Sequence, residues 1–324
     1  MNILVTGANG FIGRNLCGFL REKGYFVRGA VRNKAPDIFG VDEYVQMGDV
    51  NELTDWQQAL VGIDIIIHLA ACVHIMNNSD SNSFNFFRKV NVLGTERLAR
   101  MAAKEGVKRF IFISSVKVNG EGFEIASAPE ASRNDGRLYT EKNVPTPQDA
   151  YGVSKMEAEN ALAGIAKETG LQVVILRPPL VYGLGVKANF KNLIKIVGSG
   201  LPLPFKNVNN RRSFIYLGNL VDAINTCITH PKAAGETFMV SDCADVSTSD
   251  LIKMIAYAMG KKTALFSLYP SILKVFCKIM GKDKELEKLT RTLLVDSSKI
   301  KNFLGWKPPF TMQEGIKETV KCYK

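Results

Sequence analysis

The residue pair best suited to chemistry is Tyr151 and Lys155, which lie near the start of a predicted helix. Side chains four residues apart share one helical face, so the phenol and the ammonium group can reach the same ligand. A free tyrosine has a pKa of about 10, whereas acid/base catalysis near neutrality favours a pKa of about 7. We expect the Lys155 cation to lower the pKa of the phenol. Tyr151 is therefore a candidate proton donor and acceptor, with an exposed surface pair as the alternative.

A third polar side chain, Ser115, follows the apolar run 110–113. A hydroxyl at the carboxyl end of a parallel strand points into the crevice where such sheets bind ligands. We therefore expect Ser115 to hydrogen-bond the reacting oxygen beside Tyr151. Serines at strand ends also form turns, so it is the combination of the three side chains that indicates catalysis.

The turn 6–13, between the first predicted strand and the first predicted helix, carries three glycines at a spacing of Gly-x-x-Gly-x-x-Gly. Glycine lets the backbone turn tightly, and the free N–H groups of a helix N-terminus bind a pyrophosphate. The position at a strand–helix junction favours a dinucleotide site over a purely structural turn. The predicted contacts are Gly7, Asn9, Gly10, Phe11, Ile12 and Gly13.

The end of the second predicted strand indicates which dinucleotide binds. An acidic residue there would bind the adenosine ribose hydroxyls, but the chain has Val31 or Arg32 at that position. A guanidinium can pair with a 2′-phosphate, so NADP(H) is favoured and NAD(H) remains the alternative. Asp49 is a candidate acceptor for the adenine amino group, or a simple turn residue.

These residues require a scaffold of alternating strands and helices, and the first half of the chain predicts one. The predicted strands are 3–5, 26–31, 65–69, 109–114 and 172–176. The predicted helices are 11–23, 92–105 and 149–169. This alternation is typical of an α/β fold with a doubly wound parallel Rossmann sheet.

After residue 177 the alternation stops, and one helical segment at 190–198 lies among Pro, Gly and Asn residues. Residues 213–230 return to a strand-then-helix pattern, and the last part of the chain is mainly helical. We predict a dinucleotide-binding domain at 1–177, which 213–240 rejoins, and a smaller C-terminal substrate-binding lobe at 178–324.

The composition excludes several classes of protein. With 324 residues, 46% of them hydrophobic, the chain has enough apolar residues for a large core and is not disordered. We expect no secretory signal, and no apolar run reaches the roughly 20 residues that cross a bilayer. Six scattered cysteines predict reduced thiols in a cytoplasmic protein, with no metal site. A net charge of +11 favours an anionic partner.

The motifs taken together resemble the extended short-chain dehydrogenase/reductase family, which includes nucleotide-sugar epimerases, dehydratases and 4-ketoreductases. The shared motifs are Thr6-Gly7-x-x-Gly10-x-x-Gly13, Gly48-Asp49-Val50, His68-Leu69-Ala70-Ala71, Asn91-x-x-Gly94-Thr95, Ser114-Ser115, Tyr151-x-x-x-Lys155, Leu176-Arg177-Pro178, Arg212-Ser213-Phe214-Ile215-Tyr216 and Leu304-Gly305-Trp306-x-Pro308. The resemblance implies a tightly held dinucleotide, a lobe that grips a nucleoside-diphosphate sugar, and hydride transfer at a sugar carbon, commonly C4.

The resemblance also implies roles for individual residues. Tyr151 is then the acid/base, Lys155 binds ribose and lowers the phenol pKa with help from an oxidised nicotinamide ring, and Ser115 is the hydroxyl partner. Further cofactor contacts would be Asp49, Val50, Leu69, Ala70, Ala71, Ser114 and Pro178. Arg212 would bind the diphosphate of the substrate, Asn189 would lie near the diphosphate or uridine, and Val116 would line the sugar site. Separately, we hypothesise that His74 contacts the sugar, because it follows a strand beside the expected pocket.

Departures from the family pattern narrow the reaction. The 4,6-dehydratases have Asp-Glu after the position of Ser115, whereas this chain has Val116-Lys117, which argues against dehydration. The segment 114–121 is similar to a subgroup of bacterial surface-polysaccharide synthesis, including lipopolysaccharide. We therefore predict reduction of a UDP-4-keto-6-deoxy-N-acetylhexosamine first, and 4-epimerisation of UDP-glucose or UDP-N-acetylglucosamine second. A non-catalytic, dinucleotide-sensing protein is the alternative of another class.

Three predictions concern partners. Nucleic acid is not expected, because no basic stripe is interleaved with aromatic residues. The segment 266–288 mixes apolar residues with lysines and could lie on an anionic membrane, although packing of a lobe helix is the commoner explanation. The family resemblance implies a homodimer.

Overall fold

A seven-stranded parallel sheet lies at the centre of the structure. The computed structural model describes residues 1–33, 39–73, 80–122, 138–268, 286 and 289–323. Numbered in chain order, the strands of the sheet are β1 (Asn2–Thr6), β2 (Phe26–Val31), β3 (Glu43–Gln46), β4 (Ile65–His68), β5 (Arg109–Ile113), β7 (Gln172–Arg177) and β10 (Thr237–Met239). They lie in the order β3-β2-β1-β4-β5-β7-β10. The order reverses between β1 and β4, which creates a ligand crevice at their carboxyl ends.

Helices cover both faces of this sheet, and alternate residues of a strand pack against opposite faces. In β1, for example, Ile3 and Val5 belong to one buried cluster and Leu4 belongs to the other. The first face is covered by α1 (Phe11–Glu22), α7 (Leu217–Thr229) and α9 (Ser298–Leu304). The second face is covered by α2 (Gln57–Leu60), α4 (Gly94–Lys104) and α5 (Ala150–Thr169). The predicted doubly wound α/β sheet is confirmed.

A smaller lobe packs three helices against a three-stranded sheet. Its strands are β8 (Leu180–Tyr182), β9 (Arg212–Tyr216) and β11 (Asp245–Val246), and its helices are α6 (Ala188–Gly198), α8 (Thr248–Ala258) and α10 (Met312–Val320). The ring of Tyr182 stacks on Phe190 at 5.3 Å between centroids and meets Phe214 edge-on at 6.4 Å. A separate ladder pairs β6 (Leu138–Tyr139) with β12 (Leu294–Val295).

Most predicted elements of the first half agree with the structure to within two residues. The largest difference lies at the predicted helix 92–105, where α4 begins only at Gly94. Before it, α3 (Asp80–Phe87) runs into a π-helical turn, Arg88–Leu93. π-Helical turns occur mostly as single turns within α-helices, frequently at functional sites. A sequence pattern with a period of 3.6 residues does not reveal them.

The two lobes do not divide at a single point of the chain. After residue 213, β10 joins the central sheet and α7 packs against one of its faces. Residues 298–306 lie within the predicted lobe range, yet Ile300, Leu304 and Trp306 pack with α1 and α7 against the central sheet. Within the described ranges, no helix combines the length and apolar character needed to cross a membrane.

A buried ion pair links α5 to the sheet. Arg177, the last residue of β7, bonds both carboxylate oxygens of Glu159, and the two side chains are 8% and 7% exposed. Asn119 accepts a further hydrogen bond from Arg177 at 3.0 Å, and the Ser114 hydroxyl donates to Glu159. Because every charge here is paired, the network costs little in the folded state but would cost much if one partner were removed.

We therefore expect Glu159→Gln to lower the free energy of unfolding by about 3–5 kcal/mol, since it leaves the Arg177 guanidinium buried without a counter-charge. Glu168→Gln is the matched control on the same helix, because Glu168 pairs with Arg100 at an exposed position. The control should cost less than about 1 kcal/mol. Urea unfolding of the two variants measures both values, and equal losses would contradict the assignment.

Candidate active site

The glycine-rich turn after β1 brings three backbone segments into close contact. Gly7 has φ +68°, a conformation that favours glycine, and its N–H donates to Ala30 O at 2.9 Å. A Cβ on Gly13 would lie 2.3 Å from Gly7 O, so only glycine fits there. Gly10 caps α1 without a side-chain acceptor, and the first turn of α1 contains no acidic residue. The N–H groups of α1 therefore remain available for an anion, and the turn fits a dinucleotide diphosphate.

A buried chain of hydrogen bonds holds the loop 69–71 beside this turn. The Thr6 hydroxyl accepts the backbone N–H groups of Leu69 and Ala70, each at 3.1 Å. It also lies 2.7 Å from His68 Nδ1, while His68 Nε2 lies 3.0 Å from the Thr95 hydroxyl. Burial, with the nearby Lys155 cation, lowers the pKa of His68 to about 3, so the ring is neutral. The arrangement fits a hydroxyl that donates to Nδ1 and an Nε2–H that donates to Thr95.

Asn91 in the π-helical turn ties the next loop residue, Cys72, to the helix α5. Its side-chain amide accepts from the Cys72 N–H at 2.8 Å and donates to the Cys72 carbonyl at 3.0 Å. The amide also donates to the Ser154 hydroxyl, which in turn donates to the carbonyl of Tyr151. Neither Asn91 nor His68 had a role predicted from the sequence, although both lie in the motifs shared with the family.

The helix α5 brings Tyr151 and Lys155 to the carboxyl end of β5. Asp149 caps the helix by accepting from the Gly152 N–H at 2.7 Å. Lys155 Nζ donates to Ile113 O at 2.8 Å and lies 6.0 Å from the centre of the Tyr151 ring. Lys155 is 2% exposed, and burial lowers its pKa to about 7 against the opposing effect of Glu159. The predicted pair thus shares one region of the crevice.

The expected lowering of the phenol pKa is wrong for the protein alone. Burial raises the pKa of Tyr151, and the charges of Asp149 and Cys72 raise it further. The Lys155 cation does not overcome this effect, because it is itself desolvated and is bonded to Ile113 O. A second positive charge at the site is needed to bring the phenol pKa down.

Ser115 lies two residues after the end of β5, half-buried at the start of a short 3₁₀ turn, Val116–Val118. Its hydroxyl accepts from the Lys117 N–H at 3.2 Å and keeps its own proton for a ligand. The neighbouring Ser114 hydroxyl faces the interior and donates to Glu159, so its side chain is occupied within the protein. Pro178 is buried, and its carbonyl accepts from the Val116 N–H at 3.0 Å.

Two residues predicted to contact the adenosine end of the cofactor form an ion pair with each other. Arg32 Nε lies 3.1 Å from Asp49 Oδ1, and the side chains are 64% and 73% exposed. The guanidinium thus has a carboxylate partner, which reduces its attraction for a 2′-phosphate. The next residue, Val50, packs so closely on Gly94 that a Cβ there would lie 2.6 Å from a Val50 methyl group.

The predicted substrate residues lie on the other lobe and at its border. Arg212 begins β9, and burial lowers its pKa to about 10 against the attraction of Glu121. Asn189 lies half-buried in the first turn of α6, and Val116 is buried next to Ser115. His74 and most of the segment 266–288 lie outside the described residues.

We expect Gly13→Ala to weaken the binding of a nicotinamide dinucleotide by about fivefold or more. The added methyl group forces the turn apart, and overpacking of this size costs about 1–3 kcal/mol. The matched control is Gly164→Ala in α5, where a Cβ would meet no atom within 4 Å. Calorimetric titration of both variants measures the effect. Equal and unchanged affinities would show that this turn does not hold the cofactor.

Comparison with known proteins agrees with this geometry. The model of the NAD dependent epimerase/dehydratase family matches residues 3–241. A UDP-glucose 4-epimerase of Vibrio cholerae is 44% identical over 324 residues, which cover 99% of this chain and 95% of that protein. Two solved Bacillus cereus structures share the fold. The UDP-N-acetylglucosamine 4-epimerase has a TM-score of 0.77 and 20% identity, covering 98% of each chain.

The second is a UDP-glucuronic acid 4-epimerase in complex with NAD, with a TM-score of 0.74 and 23% identity, covering 98% of this chain and 94% of that one. The family match spans well over half of the chain and includes the glycine-rich turn, Ser115, Tyr151 and Lys155. This agrees with the resemblance inferred from the motifs. The chain belongs to the NAD-dependent epimerase/dehydratase family.

Proposed function

We propose that this protein is a UDP-sugar 4-epimerase that works with bound NAD. The observation that carries the proposal is the 44% identity with the Vibrio cholerae UDP-glucose 4-epimerase over almost the whole chain. The geometry supports it, because Tyr151, Lys155 and Ser115 lie at the carboxyl end of the sheet beside a turn that fits a diphosphate. UDP-glucose and UDP-N-acetylglucosamine are the substrates that we favour.

This proposal reverses the order of the two reactions predicted from the sequence. Reduction of a 4-keto sugar was favoured on the similarity of residues 114–121 to a polysaccharide-synthesis subgroup and on Arg32, which suggested exchangeable NADP(H). In the structure Arg32 pairs with Asp49, so a 2′-phosphate at this position would approach a carboxylate. The NAD-bound structural relative adds support for NAD over NADP. Reduction, with NADP(H) as its cofactor, is therefore the second candidate.

Lys155, Tyr151 and Ser115 have separate roles in the proposed reaction. When bound, NAD supplies a reversible hydride acceptor and a positive charge, held by the glycine-rich turn and Lys155. Tyr151 removes the proton from the 4-hydroxyl group of the sugar and returns it at the end of the cycle. Ser115 donates a hydrogen bond to the same oxygen and so stabilises the charge that develops there.

Substrate binding is assigned to the second lobe. Arg212 holds the diphosphate, since a guanidinium matches the geometry of phosphate oxygens. Asn189 in α6 lies at the uridine end of the site. Val116, at the border of the second lobe, lines the sugar end. With the diphosphate anchored, the 4-keto sugar can turn and present its opposite face, which is the step that distinguishes epimerisation from reduction. A homodimer and a role in surface-polysaccharide synthesis remain part of the proposal.

The test is to incubate the purified protein with UDP-glucose or UDP-N-acetylglucosamine, without added reduced nucleotide, and to follow the C4 epimer by NMR. We expect turnover, and we expect Tyr151→Phe to lower it by at least about 100-fold because the proton carrier is lost.

A parallel mixture contains UDP-4-keto-6-deoxy-N-acetylglucosamine with NADPH or NADH. Consumption of the reduced nucleotide, without epimerisation of either UDP-sugar, would contradict the proposal and favour the reductase. A protein that binds NAD but turns over none of these sugars would favour the non-catalytic, dinucleotide-sensing alternative.

A further inference from the structure

Four side chains of alternating charge lie between the start of α5 and strand β9 of the second lobe. They are Asp149, Lys117, Glu121 and Arg212. Lys117 Nζ lies 2.6 Å from Glu121 Oε1 and also bonds the Asp149 carboxylate. Glu121 in turn attracts Arg212, the residue assigned to the diphosphate. The side chains of Lys117, Glu121 and Asp149 are only 34%, 26% and 37% exposed, so solvent screens these charges less than it would at an open surface.

The backbone of Lys117 contacts both halves of the proposed proton-transfer site. Its N–H donates to the Ser115 hydroxyl at 3.2 Å. Its carbonyl oxygen packs against the first turn of α5, so closely that a Cβ on Gly152 would lie 2.8 Å from this oxygen. Lys117 therefore lies between Ser115 and the turn of α5 that carries Tyr151, and its side chain holds the cap of that turn.

We propose that Lys117 is a positioning residue for proton transfer, because its ammonium group fixes Asp149, and with it the first turn of α5, against Ser115. The inference rests on the proposed function, in which Tyr151 acts as a base toward the sugar hydroxyl. Lys117 itself need not touch the substrate.

The electrostatic contribution of Lys117 has a definite sign. Among the described residues, the titratable groups that act on Tyr151 are Asp149 and Lys155 from its own helix and Cys72 from the loop after β4. Asp149 disfavours the phenolate, and Lys117 neutralises Asp149. The pairing raises the pKa of Lys117 and lowers that of Asp149, so both groups are charged near neutrality. Removing the cation therefore exposes Tyr151 to an uncompensated carboxylate.

The experiment measures kcat against pH for the wild type with its bound NAD, for Lys117→Met and for Lys117→Arg. For Lys117→Met we expect the acid limb of the profile to move up by about one pH unit, a size that a nearby charge ordinarily causes. At pH values below the limb, kcat then falls about tenfold. We expect the KM for the UDP-sugar to change less than threefold, and Lys117→Arg to retain the wild-type profile.

A double variant separates this effect from a purely structural one. In Lys117→Met/Asp149→Asn the carboxylate is gone, yet asparagine caps a helix about as well as aspartate. We expect the acid limb to return to within about 0.3 units of the wild type, which is well inside the one-unit displacement expected for a nearby charge. A limb that stays in place in Lys117→Met, or that is displaced equally in the double variant, would overturn the inference.

A second measurement needs no sugar and thus separates this inference from the proposed function. The absorbance of tyrosinate is recorded against pH for the NAD-bound Lys117→Met variant and for the NAD-bound Lys117→Met/Tyr151→Phe variant. The difference between the two curves is the titration of Tyr151. The same difference is recorded for Lys117→Gln, in case the methionine variant does not fold. A higher pKa of Tyr151 than in the wild type supports the inference, and an equal pKa overturns it. Failure of the wild type to epimerise either sugar would instead count against the proposed function alone.

Discussion

The burial of the Lys155 ammonium group is the interaction on which the rest of the site depends. It donates to Ile113 O at 2.8 Å and lies 4.3 Å from the centre of the Phe112 ring, at 2% exposure. An ammonium group in such a place is costly unless opposite charge lies nearby. Glu159 supplies that charge, and Arg177 holds Glu159 in place by bonding both of its carboxylate oxygens. The ion pair between Glu159 and Arg177 therefore also stabilises the position of Lys155.

The strand order explains why these groups lie beside the proposed cofactor site. Because the order reverses between β1 and β4, the loops that follow these strands diverge and leave room for a ligand. One loop becomes the glycine-rich turn, and the other is held by Thr6 and by Asn91. The end of the adjacent strand β5 carries Ser115, so the cofactor site and the proton-transfer groups share one edge of the sheet.

Local signals made much of this predictable. In the sequence, Gly24, Gly106 and Gly170 directly follow the predicted helices 11–23, 92–105 and 149–169, and all three glycines have positive φ in the structure. The strand at 26–31 was predicted with the observed bounds. The proximity of Tyr151 and Lys155 could also be predicted, because their spacing places both side chains on one face of a helix.

Interactions between distant residues could not be predicted in this way. The Thr6–His68 contact spans 62 residues of the chain and the Lys117–Asp149 contact spans 32, and no spacing rule links such pairs. Arg32 was interpreted without its partner Asp49, which led to the preference for NADP(H). The phenol pKa was predicted from two positive charges, Lys155 and an oxidised nicotinamide ring, whereas burial decides its direction in the protein alone.

The most direct test of the account follows a deuterium label at C4 of the UDP-sugar during epimerisation. The proposed reaction removes this hydrogen as hydride and returns it to the same carbon on the opposite face. We therefore expect the C4 epimer to keep the deuterium in full, even after many turnovers in ordinary water. An epimer whose C4 carries solvent hydrogen would contradict hydride transfer and, with it, the roles assigned to Tyr151 and Lys155.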